Sequence, residues 1–245
     1  MGIEFKKIED YKYHDNRLAQ IKIQFINEEA FEDDYWIFRI LSFLFTFYEN
    51  NKLIDFNRSS EKEITRYIRN WFKKNKDFQY SMLILETESE TEGTNQIGYN
   101  DMKFTHSFWN GKYFVVECKN LDDSSQSLKE YVFNERESNG GVYRFLINKY
   151  SSFLDFGGML GYVKSGNIDT IIHNIKNGIS ILQCESNTGI KFGESIEPKL
   201  LDQLILNKEH TFQSMHTRID LETERIISPI QMFHILFNFS NNYIN

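Results

Sequence analysis

Ile97–Leu121 reads IGYNDMKFTHSFWNGKYFVVECKNL, and this stretch decides the fold. Two strand-like runs, Ile97–Phe104 and Lys112–Leu121, flank a connection that ends in Trp109-Asn110-Gly111. Asn-Gly between apolar runs is among the strongest short-range signals of a hairpin. The second run carries four apolar residues, Tyr113–Val116, before its first charge. That pattern predicts an internal strand that delivers Glu117 and Lys119 toward its carboxyl end, where open α/β sheets commonly hold their functional groups. The competing reading is an exposed strand end with solvated charges.

Side chains alternate along a strand, so Glu117 and Lys119 share one face and Cys118 turns to the other as a packing residue. Register then decides whether Asp101 joins them. A two-residue turn at Asn110-Gly111 would set Asp101 opposite Asn120, on the wrong face. A three-residue loop with a bulge would set it opposite Lys119, with Lys103 opposite Glu117. Only the even register gathers a site, so a bulged or longer hairpin is expected, or a ladder that splays near Asp101. Two carboxylates on neighbouring strands are hard oxygen ligands suited to Mg²⁺ or Mn²⁺. The Lys119 ammonium could hold an attacking water or neutralise charge building on a phosphate.

Outward from this hairpin the chain alternates helices and strands. Residues 30–50 and the amphipathic stretch 60–75 read as helices, the second with Ile64, Ile68, Trp71 and Phe72 on one stripe and Ser60/Glu63 as a capping box. Glu61 falls on the inward side of that helix start. It is either a metal ligand or a first-turn acid complementing the helix dipole. Tyr80–Glu86 reads as a strand, Gly141–Tyr150 as a helix, Gly158–Lys164 as a strand and Asn167–Asn177 as a helix. A short strand at ISILQCE, a strand at Phe212–Ile219 and an apolar helix near Ile230–Phe239 complete the expectation. This is an α/β chain with a central mixed sheet flanked by helices. It is expected as a single domain over 1–245, with a helical N-terminal arm (1–57), a core (58–185) and a C-terminal extension (186–245).

A helix with an inward Glu61, a strand, Gly98-Tyr99-Asn100-Asp101, then Val115-Val116-Glu117-Cys118-Lys119, helix and strand resemble the PD-(D/E)xK nucleases. The likeness covers residues 58–165, and Asn100 stands where the family name shows proline. The resemblance implies a restriction-endonuclease-like core and Mg²⁺-dependent hydrolysis of phosphodiesters. It makes Asp101 and Glu117 metal ligands, aided by the Cys118 carbonyl, with Lys119 serving the water.

The 28 Lys and Arg against 35 Asp and Glu leave a net charge of −7, the wrong sign for a surface that wraps nucleic acid throughout. Arg136, Arg144, Lys149 and Lys164, beside the Gly140-Gly141 and Gly157-Gly158 pairs, could form a local basic stripe. The alternate residues Ser214, His216 and Arg218 could face phosphates or a subunit, or be ordinary decoration of a half-exposed strand. His173, His210 and His234 lack metal-ligand spacing and read as packing or surface residues. Two cysteines without a CxxC pattern, no apolar leader in MGIEFKKIEDYKYHD and no run of membrane-spanning length point to a cytoplasmic protein without membrane contact. The expected role is the DNA-cleaving effector subunit of a prokaryotic restriction or anti-phage system, recruited or restrained by a protein partner. The alternatives are RNA cleavage by the same site and a catalytically silent nuclease-like scaffold.

Overall fold

The computed structural model describes residues 33–86, 100–152, 154–201 and 209–240. Most of the expected N-terminal arm, the loop before the hairpin and Ile97–Tyr99 lie outside them. Helices α1 (Asp33–Asn51), α2 (Glu61–Lys74) and α3 (Lys76–Tyr80) precede strands β1 (Ile84–Glu86), β2 (Met102–Thr105) and β3 (Tyr113–Leu121). Helices α4 (Ser125–Tyr131) and α5 (Gly141–Leu146) then lead to β4 (Phe156–Val163), and α6 (Ile168–Ser180) follows. The chain closes with β5 (Cys184–Glu185), β6 (Lys191–Phe192), β7 (Ser195–Leu201), β8 (Thr211–Asp220) and β9 (Arg225–Asn238).

Seven strands make one mixed sheet in the order β1-β2-β3-β4-β9-β8-β7, while β5 and β6 pair separately. β3, β4 and β9 run parallel and the outer pairs are antiparallel. Parallel strands need long crossovers, supplied by α4–α5 between β3 and β4, and by α6 onward between β4 and β9.

Helix α2 forms where the period predicts it. Ile64, Ile68 and Phe72 are fully buried at helical spacing, and the Ser60/Glu63 capping box is made in both directions. Phe72 sits among Phe43, Phe78 and Phe104, so α1, α2 and α3 share one aromatic core over the β2–β3 ribbon. Helix α1 is likewise part of the core, with Phe45, Phe47 and Tyr48 against Phe237 of β9.

The expected helix near Ile230–Phe239 is instead the inner part of β9, which lies between β4 and β8. A strand covered on both faces reads as an unbroken apolar run, and periodicity cannot separate it from a buried helix. As a consequence, β8 and β9, read from sequence as part of a C-terminal extension, belong to the same sheet as β3. Tyr80 likewise ends α3, leaving β1 only three residues long.

Candidate active site

The hairpin pairs Lys103 with Val115 and Phe104 with Phe114. Its connection therefore runs from His106 to Lys112, longer than the bulged loop. Trp109 explains the length. Its ring is buried at 1% exposure, stacked on Phe156, with Nε1 donating to Asp33 at 2.8 Å. Two successive turns bring it inward, one closing on the His106 carbonyl and one on the Trp109 carbonyl. Asn110 and Gly111 hold the second turn with φ of 49° and 78°. The register is thus shifted by two residues from the expected Asp101–Lys119 and Lys103–Glu117 pairs. An even shift keeps the face, and one step beyond Met102–Val116 sets Asp101 opposite Glu117.

At this point the β2–β3 ladder ends, and the Asp101 side chain replaces it. Its Oδ2 accepts from the Cys118 N–H at 2.8 Å, so the carboxylate is turned toward the Glu-Cys-Lys segment. Arg69 of α2 fixes its backbone by donating from Nε to the Asp101 carbonyl at 2.9 Å. Glu117 is 1% exposed, and its Oε1 accepts from Lys119 Nζ at 2.7 Å and Arg144 NH1 at 2.6 Å. Lys119 Nζ also donates to the Cys118 carbonyl at 2.9 Å and stands 3.7 Å from Glu61 Oε1. Arg144 NH1 further donates to the Tyr150 hydroxyl, and its Nε to Asn139 Oδ1, both at 3.1 Å. The short helix α5 brings Arg144 here because Gly157 lies directly under Phe145, where a Cβ would come within 2.4 Å of the ring.

Burial pushes the Asp101 carboxyl up to about 7, the charge of Glu117 adds to it, and the Cys118 amide and Lys119 oppose it. Glu61 is also raised, by burial first, against the pull of Lys119. Burial would lower Lys119, but Glu117 and Glu61 outweigh it and the ammonium is held above its ordinary value. Lys119 therefore stays cationic at neutral pH and is a donor and counter-charge, not a proton acceptor. Cys118 is buried on the opposite face, its thiol pushed well up by burial, as a packing residue should be.

The donor set fits a Mg²⁺-type ion of the open kind. Among the described residues no three His, Cys, Asp or Glu side chains are grouped to cage a metal. Asp101 Oδ1 and Glu117 Oε2 have no hydrogen-bond partner among those residues, and both belong to one opposed pair. One or two carboxylates with water and phosphate are the usual protein share of a Mg²⁺ shell. The raised proton affinity of Asp101 comes first from burial and then from the charge of Glu117 beside it. Glu61 stands 3.7 Å from Lys119 and close enough to the pair for its charge to add to the rise of Asp101.

The expected basic stripe is dispersed. Arg136 is exposed, but Arg144 is committed to Glu117 and Lys164 donates to the Ser59 carbonyl at 2.7 Å. Lys149 lines a narrow recess beside the site, with Lys103, Tyr113 and Tyr150. His216 and Arg218, with 0% and 2% exposure, are correctly placed on one strand face with Ser214, but that face is the inner one. They are not available to a phosphate or a subunit. His234 packs internally, bonded to Tyr131 and Ser214.

Thr65, Arg69 and Tyr150 belong to the site and escaped the sequence reading. Glu61, Thr65 and Arg69 recur every fourth position on α2, beside the apolar stripe. They touch Lys119, the Tyr162 hydroxyl and Asp101 in turn. That polar stripe was the available signal for Thr65 and Arg69; Tyr150 left none. Comparison of the chain with models of protein families, with curated proteins and with solved structures gives no match in any of the three.

Proposed function

We propose that the chain is a metal-dependent phosphodiesterase with a restriction-endonuclease-like core, and that its substrate is DNA. The observation that carries this reading is the opposition of Asp101 and Glu117 across β2 and β3, with Lys119 on the same face 2.7 Å from Glu117. Helix, three antiparallel strands, helices and a strand parallel to β3 follow one another in the order on which the resemblance rests. Asp101 and Glu117 would hold Mg²⁺ or Mn²⁺ with the Cys118 carbonyl. Bound there, the ion would supply Lewis acidity toward the phosphodiester and lower the pKa of a water.

Lys119 orients that water through its ammonium and offsets charge on the phosphate as it builds. Arg69 and the Cys118 amide hold Asp101 in place. Glu61 keeps Lys119 charged and aimed, which gives the helix-borne glutamate a positioning role. The net charge of −7 and the internal commitment of Arg144, Lys164 and Arg218 leave little general attraction for a polyanion. A protein partner that delivers or licenses the DNA fits this balance, as in a cytoplasmic effector subunit of a prokaryotic restriction or anti-phage system.

Incubation of the full chain with plasmid, single-stranded DNA and RNA, in Mg²⁺, Mn²⁺ and EDTA, tests the reading. Metal-dependent nicking should fall by at least about a hundredfold in Lys119→Ala with the circular-dichroism spectrum unchanged. EDTA-resistant cleavage, or an unaltered Lys119→Ala rate, would sink it. Cleavage of RNA alone would move the substrate and leave the site standing.

A further inference from the structure

We propose that Arg144 is the resident counter-ion of Glu117, which a divalent cation displaces, and that the displaced guanidinium then serves the anionic substrate. This rests on the phosphodiesterase reading and adds a switch to it. Both cations that hold Glu117 fall on one oxygen, Oε1, at 2.6 and 2.7 Å. The carboxylate is almost completely buried, so losing its cations without replacement is strongly unfavourable. A dication at Oε2, which has no partner among the described residues, is such a replacement, and it weakens the hold of both cations on the shared carboxylate charge.

Arg144 is the one placed to yield. Lys119 extends from β3 itself, is 13% exposed and has a second carboxylate, Glu61, 3.7 Å away. The Arg144 side chain is 26% exposed and comes from a different element. It keeps two anchors that do not depend on Glu117, the Asn139 oxygen on Nε and the Tyr150 hydroxyl on NH1. These retain the guanidinium beside the site once its bond to Oε1 is lost. Charge makes the exchange directional. Glu61, Asp101 and Glu117 stand against Lys119 and Arg144, with Lys149 beside them. A dication adds two positive charges to this group, which repels Arg144 from the carboxylates and attracts a phosphodiester. The planar fork of arginine suits phosphate oxygens in pairs.

Titration of the full chain with Mn²⁺, by calorimetry and by electron paramagnetic resonance, decides the matter alongside plasmid nicking. Arg144→Met should bind Mn²⁺ about tenfold more tightly, equivalent to about 1.4 kcal/mol. It should nonetheless nick about a hundredfold more slowly at saturating Mn²⁺. Arg144→Lys should fall between wild type and Arg144→Met in both readouts, and carries the test in the same direction if the methionine variant does not fold. A purely structural tie predicts the reverse, a slack Glu117 and weaker Mn²⁺ binding. Unchanged or weakened Mn²⁺ affinity in either variant overturns the counter-ion role while the site stands. Failure of the wild-type chain to bind Mn²⁺ overturns both readings together.

Discussion

Two polar networks lie on the same sheet face, separated by one strand. Glu117, Met159 and His234 occupy one cross-strand row on β3, β4 and β9, so Met159 divides the Glu117 site from the His234 site. On the β8–β9 side the hydrogen bonds form a directed chain whose end fixes its sense. The Gly193 carbonyl can only accept, so His216 Nδ1 donates to it and Nε2 accepts from Ser214. Ser214 then accepts from His234 Nε2, and His234 Nδ1 accepts from Tyr131. Every donor has an acceptor and both imidazoles are neutral. Burial depresses His216 to about 4 and His234 well below its ordinary value, the latter with help from His216.

On the β3 side the same sheet face holds net charge, a carboxyl raised to about 7 and two carboxylate oxygens without partners among the described residues. The first network is complete in itself and the second is not. Carboxylates gathered at close range, with one strongly perturbed and with oxygens left open, are a mark of a functional site.

If the β8–β9 network is purely structural, breaking its cationic neighbour should cost stability and nothing more. Arg218 donates to the Ser228 and Ser151 carbonyls and to Asp155, whose side chain is 68% exposed. Arg218→Met leaves the two carbonyls without their charged donor, and about 4 kcal/mol of stability should be lost. Urea denaturation measures that loss, and Mn²⁺ affinity should not change. A variant as stable as wild type would remove the distinction between the two networks.

The comparison also explains what could be read in advance. The carboxylate–lysine site was legible because period two fixes which residues share a face, and an even shift of register preserves that. The pairing itself was misjudged because Trp109 lengthens the loop for reasons that lie in a contact with Phe156. Alternation likewise put Ser214, His216 and Arg218 together, but nothing local tells an inner polar face from an outer one. That depends on β9, whose apolar IQMFHILFNF run concealed a strand behind a helical reading. Arg144 was recognised as basic, yet its bond to Glu117 spans 27 positions and follows from how α5 settles on Gly157.

The two networks should answer pH in opposite senses. His216 is depressed in the fold, so below its unfolded value of about 6.5 the unfolded chain binds the extra proton. Its stabilising contribution is complete above that pH and is lost as pH falls toward about 4. By the shift alone this amounts to roughly 3 kcal/mol. His216→Gln, which cannot titrate, should remove that loss, and urea melts at pH 7 and pH 4.5 measure the difference. An unchanged slope in this variant would mean that His216 is not the titrating partner of unfolding.

Asp101 supplies the opposite and smaller trend. Its carboxyl is raised to about 7 in the fold, so between an unfolded value near 3.8 and that point the folded chain holds the proton. Stability associated with it is therefore present at low pH and declines as pH rises through 7. Partial exposure reduces the effect to about 2 kcal/mol. Asp101→Asn retains an oxygen for the Cys118 amide and abolishes the charge, so at pH 8 this variant should be more stable than wild type by about that amount. Near pH 4, where the wild-type carboxyl is already protonated in the fold, the two should differ little. Saturating Mn²⁺ should reverse the order at pH 8 by stabilising wild type and not the variant. A site residue whose removal strengthens the metal-free fold has no counterpart in the β8–β9 network, where removal should only weaken it. Equal stability of Asp101→Asn and wild type at pH 8 would mean that the carboxylate pair is no more strained than its neighbour across Met159.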